Sequence, residues 1–119
     1  IAMIRMITPT TDERRLPVIL DGAGGFLYCV AVAGVTGGAG ASADTVQAQI
    51  DTIHQHSDMP VAIGFGISSP EDVRAMGQIA DGVVVGSALV SEMDTSNPQS
   101  AHDAYLQRMR VLTGAAGYV

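Results

Sequence analysis

Lysine is absent from this chain, and its six cationic side chains are all arginine: Arg5, Arg14, Arg15, Arg74, Arg108 and Arg110. Schiff-base chemistry and a lysine-dependent P-loop are therefore excluded. Basic clusters are lacking too, and the formal net charge is −6, which argues against nucleic acid and anionic membranes as partners. The single cysteine, Cys29, rules out an internal disulfide and suits a reducing, cytoplasmic compartment. No apolar run approaches the roughly 18–20 residues of a membrane span, and no basic segment with a cleavage pattern marks a secretory signal. The first residue, Ile1, leads straight into an apolar stretch, which reads as a piece of a longer chain or one trimmed upstream.

What is present is apolar and rich in glycine: 47% hydrophobic residues and 14 glycines in 119, a composition for one globular domain over 1–119. Four strand-then-helix units follow one another. "AMIRMIT" (Ala2–Thr8) reads as a strand stopped by Pro9. "TTDERRLPVILDGA" reads as a helix opened by a Thr10–Glu13 capping box and restarted or kinked at Pro17. "FLYCVAVA" (Phe26–Ala33) is the second strand, followed by the glycine-rich loop "GVTGGAGASA". "DTVQAQIDTIHQHS" places Val46, Ile50 and Ile53 at helical spacing. "PVAIGF" is the third strand; Ser69 as N-cap, Pro70 at N1 and Asp72 at N3 open a helix to about Ile79. "GVVVGSA" is the fourth strand, and Asn97-Pro98 starts a last helix with Ala101, Tyr105, Met109 and Leu112 on one face. The tail, 113–119, reads as frayed.

The strands are unbroken apolar runs rather than alternating ones, the mark of parallel strands covered on both faces and joined by crossover helices. The fold class is therefore α/β. Four such units make half of a (β/α)8 barrel, or a small doubly wound open sheet.

In either architecture ligands gather beyond the C-terminal ends of the strands. Those ends offer Thr8, then Tyr28 with Thr36 and Gly37, then Gly64, Phe65, Gly66 and Ser68, and finally Gly86 and Ser87. No carboxylate or histidine is among them. Asp21, Asp58 and Asp81 precede strands, at the opposite end, while Asp12, Glu13, Asp44, Glu71 and Asp72 fall in helix first turns, where the macrodipole favours them. The chain thus presents binding groups without an acid or base. Glycine amides beside Ser87 suit a phosphate, although the same glycines also serve simply to make tight turns. His54 and His56, two apart at a helix end, do not share a face and read as helix-terminal charge rather than metal ligands. His102 reads as solvated and Cys29 as a small buried hydrophobe.

Taken together, "GFLYCVAVAGVTG", "MPVAIGFGISSPEDV" and "ADGVVVGSALV" resemble the second half of the tryptophan synthase α chain, and "ITPTTDERR" fits that family's fifth strand and the turn after it. The resemblance runs from about Ile4 to Leu112. It implies strands five to eight of a TIM barrel, and cleavage of indole-3-glycerol phosphate to indole and glyceraldehyde 3-phosphate. By motif match, the phosphate would lie against Gly37, Gly66, Gly86 and Ser87. Ile7, Tyr28, Gly64, Phe65 and Val84 would line the indole side, and Thr36 would help close the loop over the substrate. Indole would pass to a β subunit in an α2β2 assembly; pyridoxal phosphate belongs to that subunit, and this chain would carry no cofactor and no metal. The family's catalytic glutamate and aspartate lie in the first half of the barrel, so no catalytic residue is assigned here and the missing N-terminal half-barrel is an implied partner. Ala31 stands where many members have serine. A second reading is a stand-alone phosphate-binding half-barrel that self-associates through its open face. Phosphate barrels of histidine or thiamin synthesis end their strands similarly, but the former would bring a strand-end aspartate that is absent here.

Overall fold

Val61–Gly64 carries its apolar side chains to alternate faces, and it lies inside a four-stranded sheet. In the computed structural model, which describes residues 1–30, 43–64, 66–93 and 97–117, the strands are β1 (Arg5–Ile7), β2 (Leu27–Val30), β3 (Val61–Gly64) and β4 (Gly82–Val84). Their order in the sheet is their order in the chain, and every pair is parallel. A doubly wound sheet needs a point where strand order reverses. This sheet has none, so it winds one way only, as a segment of a barrel does.

The helices are α1 (Leu16–Leu20), entered through a 3₁₀ turn at Glu13–Arg15, then α2 (Ala43–His54), α3 (Pro70–Gly77), the short α4 (Ser87–Val90) and α5 (Pro98–Ala115). They cover one face of the sheet. Ile7, Leu27, Cys29, Val61 and Ile63 from the strands form one buried cluster with Leu16, Val46, Ile50, Ile53, Val73, Met76 and Leu112 from the helices. The spacing of Val46, Ile50 and Ile53 delivers them to this core as expected. Each fully buried aliphatic side chain there is worth about 1.5–3 kcal/mol relative to exposure.

Several boundaries differ from the sequence reading. The strands are shorter at their ends: Ala2–Ile4 and Thr8 stand outside β1, and Phe26 outside β2. The Thr10–Glu13 capping box does not form. Thr8 and Thr11 close a turn first, with the Thr11 amide donating to the Thr8 carbonyl at 2.9 Å, and Asp12 caps the 3₁₀ turn instead, accepting from the Arg14 amide at 3.1 Å. Pro17 restarts the helix, as its missing N–H and ring require. The fourth strand stops at Val84, and Ser87, read as part of it, opens α4. By contrast, Ser69, Pro70 and Asp72 open α3 with a full capping box, though the helix ends at Gly77. The last helix runs to Ala115, three residues into the expected tail.

Among the described residues, no helix covers the second face of the sheet. Register sets Met6, Tyr28, Ala62 and Gly82 in one row across it, and Val30, Gly64 and Val84 in the next. Met6 is 61% exposed and Val84 38%. The unbroken apolar runs had implied cover on both faces; among the described residues, helices cover one.

Candidate ligand-binding site

Because all four strands are parallel, their C-terminal ends share one rim. Two segments on it are built by glycine. Gly66 has φ +74°, a left-handed conformation that L side chains rarely adopt. It leads into Ser68 and Ser69, whose amides both donate to Asp72 Oδ2, at 3.1 and 2.9 Å. The Ser69 hydroxyl accepts the Asp72 amide at 3.1 Å in return. Asp72 is the buried carboxylate nearest this rim, and the cap occupies it, so it is a brace for the loop rather than an acid or base. Gly86 is not left-handed (φ −116°), and a Cβ placed on it would meet nothing within 4 Å. Open space therefore adjoins the backbone there. Gly86 is the N-cap of α4, its carbonyl accepting the amides of Leu89 and Val90 at 2.9 and 3.1 Å. First-turn amides such as those of Ser87 and Ala88 have no acceptor within their own helix, and Ser87 is exposed.

On the uncovered face, Tyr28, Gly64 and Val84 come together. A Cβ on Gly64 would fall 2.3 Å from the Tyr28 hydroxyl oxygen and 3.1 Å from Val84 Cβ. The Tyr28 ring thus leans across β3 into a space that only glycine leaves free. Ile7 is not part of this group. It pairs in register with Cys29 and is 1% exposed in the core between sheet and helices, because neighbouring residues of a strand point to opposite faces. Thr36, Gly37 and Phe65 lie outside the described residues, as does Ala31.

The remaining candidates are structural. Burial pushes the Cys29 thiol up to about 11, which keeps it protonated and inert. Asp81 staples the starts of two strands: its Oδ2 accepts the Val61 amide at 2.8 Å and its amide donates to the Val61 carbonyl at 3.0 Å. His54 stands 4.0 Å from that carboxylate, and His56 is 3.2 Å from Glu13. His102 is exposed beside Asp103. Among the described residues no group of three or more potential ligands could hold a metal ion, and no helix is long and apolar enough to cross a membrane. An apolar cavity of about 330 Å³ opens behind β4, on the helix side, lined by Val73, Val83, Leu89, Met109 and Leu112 among others. Val83 faces away from the Tyr28 row, so this cavity is separate from the uncovered face. Two features of the rim escaped the sequence reading. Four residues are too few for α4 to show a helical period, and nothing local ties Arg108 of α5 to the Ser68 carbonyl, 40 residues away, to which it donates.

Comparison with known proteins sets this geometry in a family. A family model described as tryptophan synthase alpha chain matches residues 1–116. The tryptophan synthase alpha chain of Zymomonas mobilis is 50% identical over 115 residues, 95% of this chain and 42% of its own length. The solved tryptophan synthase alpha chain of Legionella pneumophila superposes with a TM-score of 0.77 at 28% identity, over 98% of this chain and 42% of that one. A tryptophan synthase from M. tuberculosis in an aminoacrylate-bound form gives 0.70 at 25% identity, over 100% and 41%. The chain spans well under half the length of the curated relatives it matches.

Proposed function

The chain belongs to the tryptophan synthase alpha chain family, and on that premise we propose that it carries the phosphate- and indole-binding half of a site that cleaves indole-3-glycerol phosphate to indole and glyceraldehyde 3-phosphate. Its four units are strands five to eight of the barrel. The observation that carries the reading is the rim itself. Gly66 and Gly86 stand at the ends of neighbouring strands, with free space against Gly86 and first-turn amides at Ser87. Backbone N–H groups in that setting suit a phosphate. Gly37 and Thr36, outside the described residues, are assigned to the same phosphate and to its closing loop by the family's motif. Tyr28, Gly64 and Val84, with Phe65, offer the apolar wall that an indole ring needs, on the face a barrel would turn inward.

This reading places the chemistry in the other half of the barrel. Cleaving the bond between indole and the glycerol phosphate requires a proton delivered to the indole carbon and one taken from the side-chain hydroxyl. Nothing at the described strand ends can do either. The glutamate and aspartate that do so belong to the other half of the barrel, which is the first partner of this chain. The family carries no cofactor of its own; pyridoxal phosphate is held by the β subunit, the second partner and the receiver of the indole. The setting is cytoplasmic.

The test is reconstitution. The 119-residue chain alone should show no lyase activity; mixing it with the N-terminal half of the Zymomonas mobilis relative should produce a 1:1 complex that forms indole. Failure of a stable, correctly sized complex to form indole would sink the reading. The uncovered apolar face also favours a second reading, in which two copies of the chain close on each other: Ile4 is 40% exposed, Met6 61% and Val84 38%. A clean dimer by light scattering, unaffected by the N-terminal half, would decide for it.

A further inference from the structure

The β3–α3 loop is gripped at a single peptide from two sides. The Ser68 N–H donates to Asp72 Oδ2 at 3.1 Å, and the Ser68 carbonyl accepts from the Arg108 guanidinium, through Nη2. Asp72 belongs to the helix the loop leads into, so its hold is local. Arg108 belongs to α5, 40 residues further along the chain, so its hold ties the loop to another element. The same guanidinium has its Nε buried without a partner. Burying an arginine nitrogen without an acceptor is costly; Arg5 shares the feature at the other end of the sheet, so it is the contact with the loop that sets Arg108 apart. Two residues before the gripped peptide stands Gly66, in its left-handed conformation.

The chain is poor in positive charge. It has six arginines and no lysine. Of the others, Arg5 donates to the Asp21 carbonyl, at the end of the sheet where β2 begins, and Arg74 pairs with Glu71 at 3.1 Å on the exposed side of α3. Arg14, Arg15 and Arg110 are exposed. Among the described residues, Arg108 is the cation whose guanidinium hydrogen-bonds the loop that carries Gly66.

We propose that Arg108 is a positioning residue for the phosphate site: it fixes the Gly66–Ser69 loop against α5 and adds a positive charge beside it. The inference rests on the proposed phosphate role of Gly66 and Gly86. The Ser68 and Ser69 amides are taken by Asp72, but an anion held at the Gly66 end of the loop binds more tightly when the backbone there is already aimed and a charge stands nearby. Arg108 does both without touching the ligand. Its length allows α5 to be the anchor: long helical side chains lean towards the helix N-terminus, and α5 begins after the rim.

The experiment uses the 119-residue chain and inorganic phosphate, followed by the amide NMR shifts of Gly66, Gly86 and Ser87. Arg108→Ala is expected to weaken phosphate binding about tenfold and to speed hydrogen exchange at the Ser68 and Ser69 amides. Arg108→Lys, which keeps the charge, should recover part of the affinity. Arg108→Gln, which keeps much of the side chain's bulk, should fold as the parent does and still bind phosphate poorly, so a folding defect in the alanine variant leaves the test intact. Equal affinity in the parent and Arg108→Gln would overturn the inference alone. So would a loss of affinity in which Lys does no better than Gln and the melting temperature falls in step. Absence of phosphate binding in the parent would instead overturn the phosphate reading, and the inference with it.

Discussion

Two glycines of one rim place opposite demands on the same substitution. At Gly64 a methyl group would meet the Tyr28 hydroxyl oxygen at 2.3 Å and Cζ at 2.9 Å, so Gly64→Ala is expected to cost about 1–3 kcal/mol through overpacking. At Gly86 a methyl group meets nothing. Gly86→Ala should leave stability within about 0.5 kcal/mol while reducing phosphate affinity, because it fills the approach to the backbone. Urea unfolding and phosphate titration of both variants separate the two effects. Glycines at strand ends were legible in the sequence; which one packs a ring and which one faces open space was not, since that depends on a side chain from a neighbouring strand. Ile7 shows the same limit. It was assigned to the pocket by motif match alone, and its face depends on the register with Cys29, which no local run of sequence gives. Cys29 was legible as a buried hydrophobe. Its folded-state pKa of about 11 lies above the ordinary 9.0, so the unfolded chain gives up this proton first as pH rises. The contribution is fully present below pH 9.0 and is lost from there towards about 11. Denaturation midpoints should fall across that window, and fall less in Cys29→Ala. Alkylation of Cys29 by iodoacetamide at pH 8 should be slow until the protein unfolds.

At the scale of elements, local chemistry was read well where it is self-sufficient. Ser69, Pro70 and Asp72 supply everything a helix start requires within four positions, and the capping box forms as expected. Thr10 and Glu13 had the same spacing but lost to a Thr8–Thr11 turn that uses the threonines first. The difference is Pro9, which sets the turn ahead of the helix. Asp72 is buried at 8% exposure and serves both the α3 cap and the loop before it. Asp72→Ala is therefore expected to destabilise by about 1–3 kcal/mol, more than an ordinary cap, because two loop amides also lose their acceptor. Asp72→Asn, which keeps one acceptor oxygen, should recover part of this, as thermal unfolding of the two variants would reveal. The side chain of Glu71, next to it, is solvent-exposed; its own backbone amide and then Arg74 hold its carboxyl below the usual range, and no comparable loss is expected there.

For the whole molecule, strict alternation of strands and helices was enough to give the α/β class, and the ordered sheet β1-β2-β3-β4 decides against double winding. The apolar character of both strand faces, read without the structure, implied cover on both, and among the described residues helices cover one. The chain exposes 7410 Å², whereas a compact monomer of 12.3 kDa exposes about 6,100 Å². Unfolding transfers to water only the apolar surface that folding had removed from it, and the heat-capacity increment follows that surface. A fully covered chain of this length would show about 1.4–1.8 kcal/mol/K. The lone sheet should fall below that range, with a broad, shallow dependence of stability on temperature. Covering its inner face would steepen the curve, so the chain's resistance to cold and to heat is set as much by what lies against it as by its own core.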